Sequence, residues 1–242
     1  MIKKTISSLK DIFFSYLTLY FTIILLIIIY IISTNNLDIL NNSKLLYKYS
    51  LIAMTITIIP ITIFLYKKNY HQSSPVNKKL LLLMIPLGVT ISLIYNNLTI
   101  TFKEPSILTT KNIIIIILYT SIIGPIFEEI LFRYVTYNKL KDIYNSNISI
   151  LITTTIFSLL HQGLISIAYA FILGLILSYI YKKAQNILYP ITIHISANFA
   201  SIFINSYQPI VLILSITILL ITIYLIKKHL VCKKAKWIII QQ

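Results

Sequence analysis

Six stretches of this chain contain no Asp, Glu, Lys or Arg, and together they decide the solvent in which it can fold. They run Ile12–Leu37, Tyr49–Tyr66, Leu80–Phe102, Asn112–Phe127, Ile143–Tyr181 and Ala184–Ile226. About 20 apolar residues carry a helix across the hydrocarbon core of a bilayer, and in lipid an α-helix satisfies its own backbone hydrogen bonds. The first stretch contains a span ending near Ser33, the second a span with Pro60 inside it, and the third a span of its own. The fourth reaches full length only by continuing through Glu128, Glu129 and Arg133. Ile143–Tyr181 is long enough for a tight helical pair turning near Gln162 and Gly163, and Ala184–Ile226 for another pair broken at Asn205, Ser206, Tyr207, Gln208 and Pro209. The expected fold is all-α, a polytopic integral membrane bundle of about eight transmembrane helices. Three regions follow: 1–111 with the first three helices, 112–204 with the chemistry described below, and 205–242 with the last helix and a basic tail.

Composition agrees with lipid as the solvent. Hydrophobic residues make up 57% and charged residues 11% of the 242, against about 25% charged in soluble domains. The net charge of +15 would point to nucleic acid on a soluble protein. Here the lysines cluster between apolar runs, so their role is orientation in the bilayer and no nucleic-acid partner is expected. Lys3, Lys4 and Lys10, then Lys67, Lys68, Lys78 and Lys79, then Lys139 and Lys141, then Lys182 and Lys183, then the five of the tail from Lys227 to Lys236 fall on one side of an eight-span arrangement. Only Lys44, Lys48, Lys103 and Lys111 fall on the other. The positive-inside rule then places both termini in the cytoplasm of a multi-pass cell-membrane protein. Lys3 and Lys4 before an apolar stretch resemble a signal peptide, but the stretch is long and no small-residue cleavage site follows, so it reads as an uncleaved first helix. The abundance of Ile, Asn, Lys and Tyr points to an A/T-rich bacterial genome. A single cysteine, Cys232, excludes a disulfide framework, and four glycines with no Gly-rich loop exclude a nucleotide-phosphate cradle. The lysines of the tail, with Trp237 beyond them, read as retention of the C-terminus inside.

Ionisable residues inside membrane helices are functional candidates by default, because each costs about 2.5–3.5 kcal/mol at a helix centre. Glu128, Glu129 and Arg133 lie on the fourth helix, His161 ends the fifth, and His194 shares the seventh with Asn198. Glu129 and Arg133 are i and i+4 neighbours, so that carboxylate can be held as an ion pair. Glu128 points about 100° away and lacks that partner, which suits a general base. Pro125, just upstream, frees a carbonyl from the helix ladder and can kink the chain near the site. Phe157 and His161, and His194 and Asn198, are also i and i+4 pairs. His71 and His229 fall in lysine-bearing segments and are expected to be solvated. Two carboxylates and two histidines on three helices suit one polar pocket that activates water and stabilises an oxyanion, or binds a metal, or relays protons. Composition and spacing do not choose among the three.

The pattern Glu-Glu-x-x-x-Arg at Glu128–Arg133, Phe-x-x-x-His at Phe157–His161 and His-x-x-x-Asn at His194–Asn198 resembles the three motifs of the CPBP intramembrane proteases. That family includes type II CAAX prenyl endopeptidases, bacteriocin-processing and bacteriocin-immunity proteins, and lysostaphin-resistance-like proteins. The resemblance covers roughly Asn112 to Ile204. It implies an endopeptidase in which Glu128 with His161 activates a water for attack on a peptide carbonyl. His194 and Asn198 would stabilise the oxyanion, and Glu129, paired with Arg133, would orient the first carboxylate. Phe157 joins Arg133 as a supporting residue.

The resemblance also raises a metalloprotease reading, in which zinc would take Glu128, His161 and His194 with water in the fourth position. No His-Glu-x-x-His places two ligands on adjacent turns, so direct glutamate catalysis is the preferred expectation. Depth raises a difficulty: at about 1.5 Å per residue, His161 counted from Ile143 lies about 27 Å along its helix, far from Glu128. The expected partners are the bilayer and a small peptide or membrane-associated substrate, such as a peptide pheromone, a bacteriocin leader or a membrane-protein segment. A non-proteolytic bacteriocin-immunity or scaffold protein retaining the motifs is the competing reading. A proton-coupled transporter is a third, disfavoured because transporters tend to repeat their halves and all the chemistry here lies in the second half.

Overall fold

The computed structural model describes residues 2–35, 37, 39, 43–69, 71, 73–99, 117–202 and 207–240. Among these residues there are eight helices and no strand. Helices α1 (Ile2–Thr34), α2 (Ser43–Lys68) and α3 (Lys78–Thr99) are followed by α4, which runs from Leu118 to Lys141. Then come α5 (Ser146–Leu159), α6 (Leu164–Ala184), α7 (Leu188–Ala200) and α8 (Pro209–Ile240). Both expected helical pairs are present: α5 and α6 turn through 160–163, and α7 ends before Tyr207 and Gln208 lead into α8. The expected fourth-helix start at Asn112, Lys103 and Lys111, Ile204, and the break residues Asn205 and Ser206 lie outside the described residues, as do the side chains of Lys44, Cys232 and Trp237.

Fewer helices have the dimensions of a span than the sequence leads one to expect. Among the described residues five are long and apolar enough to cross a membrane: Lys3–Thr34, Lys48–Lys68, Lys78–Thr99, Leu164–Ala184 and Pro209–His229. At about 1.5 Å per residue, α5 with 14 residues and α7 with 13 fall short of a hydrocarbon core about 30 Å thick. The short α5 answers the difficulty over His161. Its helix begins at Ser146 rather than Ile143, N-capped by Asn145 Oδ1, which accepts from the Asn147 and Ile148 N–H groups at 3.0 and 2.9 Å. That start shortens the rise to His161 by about 4.5 Å, three residues at about 1.5 Å each. Gly163 makes the turn after Leu159 with φ of 81°, a left-handed conformation that favours glycine.

Polarity is distributed as lipid requires. Phe21, Leu164, Leu220 and Tyr224 stand more than 60% exposed, while Asn96, Glu129, Arg133, Thr153 and Thr154 are fully buried. One apolar cluster joins α1, α2, α4 and α5, and a second joins α3, α6, α7 and α8; α6 contributes to both. The two halves are tied at one end by the basic segments. Lys139 pairs with Asp11, Thr5 bonds Tyr144, Lys182 Nζ donates to Asn147 Oδ1 at 2.8 Å, and the Ser74 N–H donates to the Gln185 carbonyl at 2.9 Å. The four lysine-bearing segments up to residue 186 thus share one end of the bundle. His71, expected to be solvated, is partly buried there: its N–H donates to Tyr134 Oη at 2.7 Å, and burial holds its imidazole below the usual pKa.

α3 and α7 approach most closely at Gly88, where a Cβ would run into the Ile193 carbonyl and Ser196 Oγ. Because the obstacle includes backbone, Gly88→Ala is expected to cost about 1–3 kcal/mol. Thermal unfolding of the purified protein in detergent checks this against Leu82→Ala, an exposed position expected to stay within about 0.5 kcal/mol of the parent.

Candidate active site

Helix α4 carries its carboxylates on an α-helical segment, Gly124–Glu129, flanked by two π-helical stretches, Leu118–Ile123 and Ile130–Tyr137. The Gly124 N–H bonds the Tyr119 carbonyl five residues back, and Pro125 follows at the first turn without an N–H to donate. π-Turns absorb the residue that a regular ladder would reject, and they occur often at functional sites. The kink device expected at Pro125 is thus a change of helical period. Glu128 and Glu129 lie on the α-helical segment between the two π stretches, where consecutive side chains point about 100° apart.

The two carboxylates have different surroundings. Glu129 is fully buried, whereas the Glu128 side chain retains 25% of its exposure. Glu129 Oε1 accepts from Arg133 Nη1 at 2.7 Å, as the spacing predicts, and also from His194 Nδ1 at 2.8 Å, which the spacing could not show. A carboxylate accepting at Nδ1 fixes the proton there and turns Nε2 towards Glu128, whose Oε2 lies 3.6 Å away. Glu128, without a partner on its own helix, thus faces an imidazole from α7.

Arg133 is held on every side. Its guanidinium lies 4.5 Å over the Phe157 ring, with Nη2 directed at the Gly174 carbonyl and Nε at Ser178 Oγ, both at 3.4 Å. Phe157 also meets His161 and His194 edge-on, at centroid distances of 4.9 and 5.9 Å. The Phe of the Phe-x-x-x-His pair is therefore a platform between the cation and both histidines. His161 is steered further by its own helix, Nδ1 lying 3.0 Å from the Phe157 carbonyl. A Cβ on Gly174 would stand 3.2 Å from Arg133 Nη2, 3.2 Å from Phe157 Cδ1 and 2.9 Å from Thr154 Cγ2. Gly174 and Ser178 were invisible as site residues in the sequence. A lone glycine in an apolar helix was the only signal, and serines are common in such helices.

Glu128, His161, His194 and Asn198 line one cavity of about 340 Å³, which Ser92 and Tyr169 help to enclose. Asn198 Nδ2 donates one proton to the Thr120 carbonyl at 2.8 Å; its second is not committed to that bond. The site therefore combines a partly exposed carboxylate, two imidazoles and an amide donor around a space large enough for a peptide group and water. Zinc would need three protein donors at about 2.0–2.2 Å. Among the described residues no three His, Cys, Asp or Glu side chains converge in that way. The bonds of His194 Nδ1 to Glu129 and of His161 Nδ1 to the Phe157 carbonyl leave each Nε2 open, so the lack of convergence and not those bonds decides the fit. As arranged, the residues do not fit the ion.

Residues 110–200 match the family described as Type II CAAX prenyl endopeptidase Rce1-like. The chain is also similar to a candidate membrane peptidase, YdiL, of Bacillus subtilis (strain 168), at 31% identity over 84 residues, or 35% of this chain and 34% of that one. To the membrane-embedded CAAX protease MroQ of Staphylococcus aureus (strain USA300) it is 35% identical over 101 residues, 39% of this chain and 41% of that one. The match thus spans well under half the length of either relative. No solved structure matches. The expected resemblance to the CPBP family is borne out over this segment, which contains all three motifs.

Glu129 and Arg133 are both fully buried, and removing one partner of such a pair costs about 3–5 kcal/mol. Arg133→Met is expected to destabilise by that amount. Arg133→Lys should recover only part of the loss, because an ammonium cannot reproduce the fork directed at Glu129, Gly174 and Ser178. Unfolding of both variants in detergent measures the difference, and equal stability of Arg133→Met and the parent would contradict the reading.

Proposed function

We propose that this chain is a membrane-embedded endopeptidase that hydrolyses an internal peptide bond with a glutamate-activated water. The observation carrying the proposal is the shared cavity of Glu128, His161, His194 and Asn198, with Glu129 and Arg133 buried behind it as positioning residues. In this reading Glu128 takes a proton from a water lying between its carboxylate and the scissile carbonyl, with His161 orienting that water from across the cavity. As the tetrahedral intermediate forms, the oxyanion is met by the free Asn198 N–H and by His194 Nε2–H. Glu129, already paired with Arg133, bonds His194 Nδ1 and so holds the ring with Nε2 turned towards the reacting group. Collapse passes the proton from Glu128 to the departing amine, giving a free carboxylate and a free amine and restoring Glu128. Fixed donors in a site shielded from bulk water suit this chemistry because they need no reorganisation as charge develops.

In this reading the end that carries the lysine-bearing segments, with both termini, faces the cytoplasm, which the positive-inside rule supports. The substrate is then a small peptide or a membrane-associated segment. A peptide pheromone, a bacteriocin leader or a membrane-protein segment fits a bacterial cell better than an isoprenylated protein.

Glu128→Gln keeps the side-chain shape and removes the base. It is expected to lower cleavage by the purified protein about 10²–10⁴-fold while thermal unfolding stays near that of the parent. Asn198→Ala is expected to lower kcat about 10²–10³-fold. Comparing the peptides of cells carrying the parent chain and Glu128→Gln identifies the substrate. Protection or signalling that survives Glu128→Gln at normal protein levels would instead favour a binding role. Because the donors present do not fit zinc, activity should persist after exhaustive chelation. One tightly bound zinc per chain, lost together with activity, would overturn the direct role of Glu128.

A further inference from the structure

A second cavity, of about 310 Å³, opens on the other side of Glu128. It shares Glu128, Asn198 and Thr120 with the first, so those residues form a common wall. The two chambers differ in chemistry. The first is lined on its far side by Ser92, Asn96, Ser166, Tyr169 and Ser201, which offer hydroxyl and amide groups. The second is closed mainly by Tyr16 and Leu19 of α1, Leu51, Met54 and Ile58 of α2, and Phe127 of α4. Tyr16 packs edge-on against Phe127 with centroids 6.0 Å apart, and Thr55 bonds Tyr119, which tie α1 and α2 to the helix that carries Glu128.

No Lys or Arg lines either chamber among the described residues. Arg133, the one arginine of the chain, is committed to Glu129, with Gly174 and Ser178 beside it. A negatively charged group in the second chamber would therefore meet Glu128 with no basic side chain in that chamber's lining to offset it, whereas an uncharged apolar group would gain burial. Moreover, α1 and α2 lie wholly outside residues 110–200, the segment that matches the peptidase family. The groups proposed to do the chemistry lie within 110–200, whereas most of the aliphatic lining of this chamber, Leu19, Leu51, Met54 and Ile58, lies outside it.

We infer that the chamber bounded by Tyr16, Leu19, Leu51 and Met54 is a specificity subsite that takes a large apolar side chain of the peptide substrate adjacent to the scissile bond. This rests on the peptidase reading above. Under it, α1 and α2 select the substrate while 110–200 cleaves it. A pocket of this kind discriminates by shape, since one methylene more or less is worth about 10–200-fold.

The test uses the full chain in lipid nanodiscs and internally quenched peptides that vary only beside the cleaved bond, with Phe, Leu, Ala or Asp at that position. Phe and Leu peptides are expected to exceed Ala and Asp peptides at least about tenfold in kcat/KM. Met54→Trp and Leu19→Phe, which fill the chamber, are expected to reduce the Phe-to-Ala ratio about tenfold. A ratio unchanged in both variants would overturn the subsite. A second measurement does not depend on turnover. A peptide carrying photo-leucine at the same position, illuminated on Glu128→Gln protein, should label α1 or α2, with mass spectrometry placing the adduct near Leu19 or Met54. Labelling confined to Ser92 or Tyr169, or a diazirine phospholipid that labels Met54 and is not displaced by excess peptide, would overturn it. Should parent and Glu128→Gln proteins be equally inert towards every peptide, the peptidase reading fails, and the labelling pattern still decides the subsite.

Discussion

Everything at the centre of this bundle depends on one carboxylate oxygen. Glu129 Oε1 receives both Arg133 Nη1 from its own helix and His194 Nδ1 from α7. With Glu129 and Arg133 fully buried, neither charge tolerates loss of the other, so the relative positions of α4 and α7 are constrained to keep the three groups together. Arg133 extends the constraint to α5 through the Phe157 ring and to α6 at the Gly174 carbonyl and Ser178. Four helices are thereby set around a charge cluster whose desolvation cost is offset only while its geometry persists.

Backbone devices make that cluster accessible. Glycine at 174 lets α6 approach the guanidinium, and glycine at 88 lets α3 lie against the backbone of α7. The two π-helical stretches around Gly124–Glu129 change the angular order of side chains on α4. On the α-helical segment between them, adjacent residues point about 100° apart and take opposite roles: Glu129 faces the buried cluster while Glu128 reaches the cavity. The short α5 keeps His161 at the depth of that cavity instead of at the far face of the membrane.

The helical elements and much of the candidate site were legible in the residues. Charge-free stretches located the helices, and the lysine pattern anticipated that the basic segments would share one end. The ion pair of Glu129 with Arg133 followed from helical spacing. Less was legible where the sequence carries no periodic signal. The number of helices long enough to span came out lower than the apolar content implied, because an apolar run does not record where a cap such as Asn145 starts its helix. The role of Phe157 as a platform, and of Gly174 as the space that admits Arg133, arises between helices far apart in the chain.

The sequence by itself determined that this chain folds in lipid as a helical bundle, which groups form its candidate site, and that two adjacent carboxylates stand where hydrocarbon would otherwise forbid them. Only the tertiary structure decided which carboxylate is buried and which faces the cavity, that His194 bonds Glu129, and that α1 and α2 close a second chamber against Glu128. The physical reason is range. Helix periodicity and transfer free energy act over a few neighbouring residues and are written locally in the chain. The direction of a hydrogen bond and the shape of a cavity depend on how distant helices settle against one another.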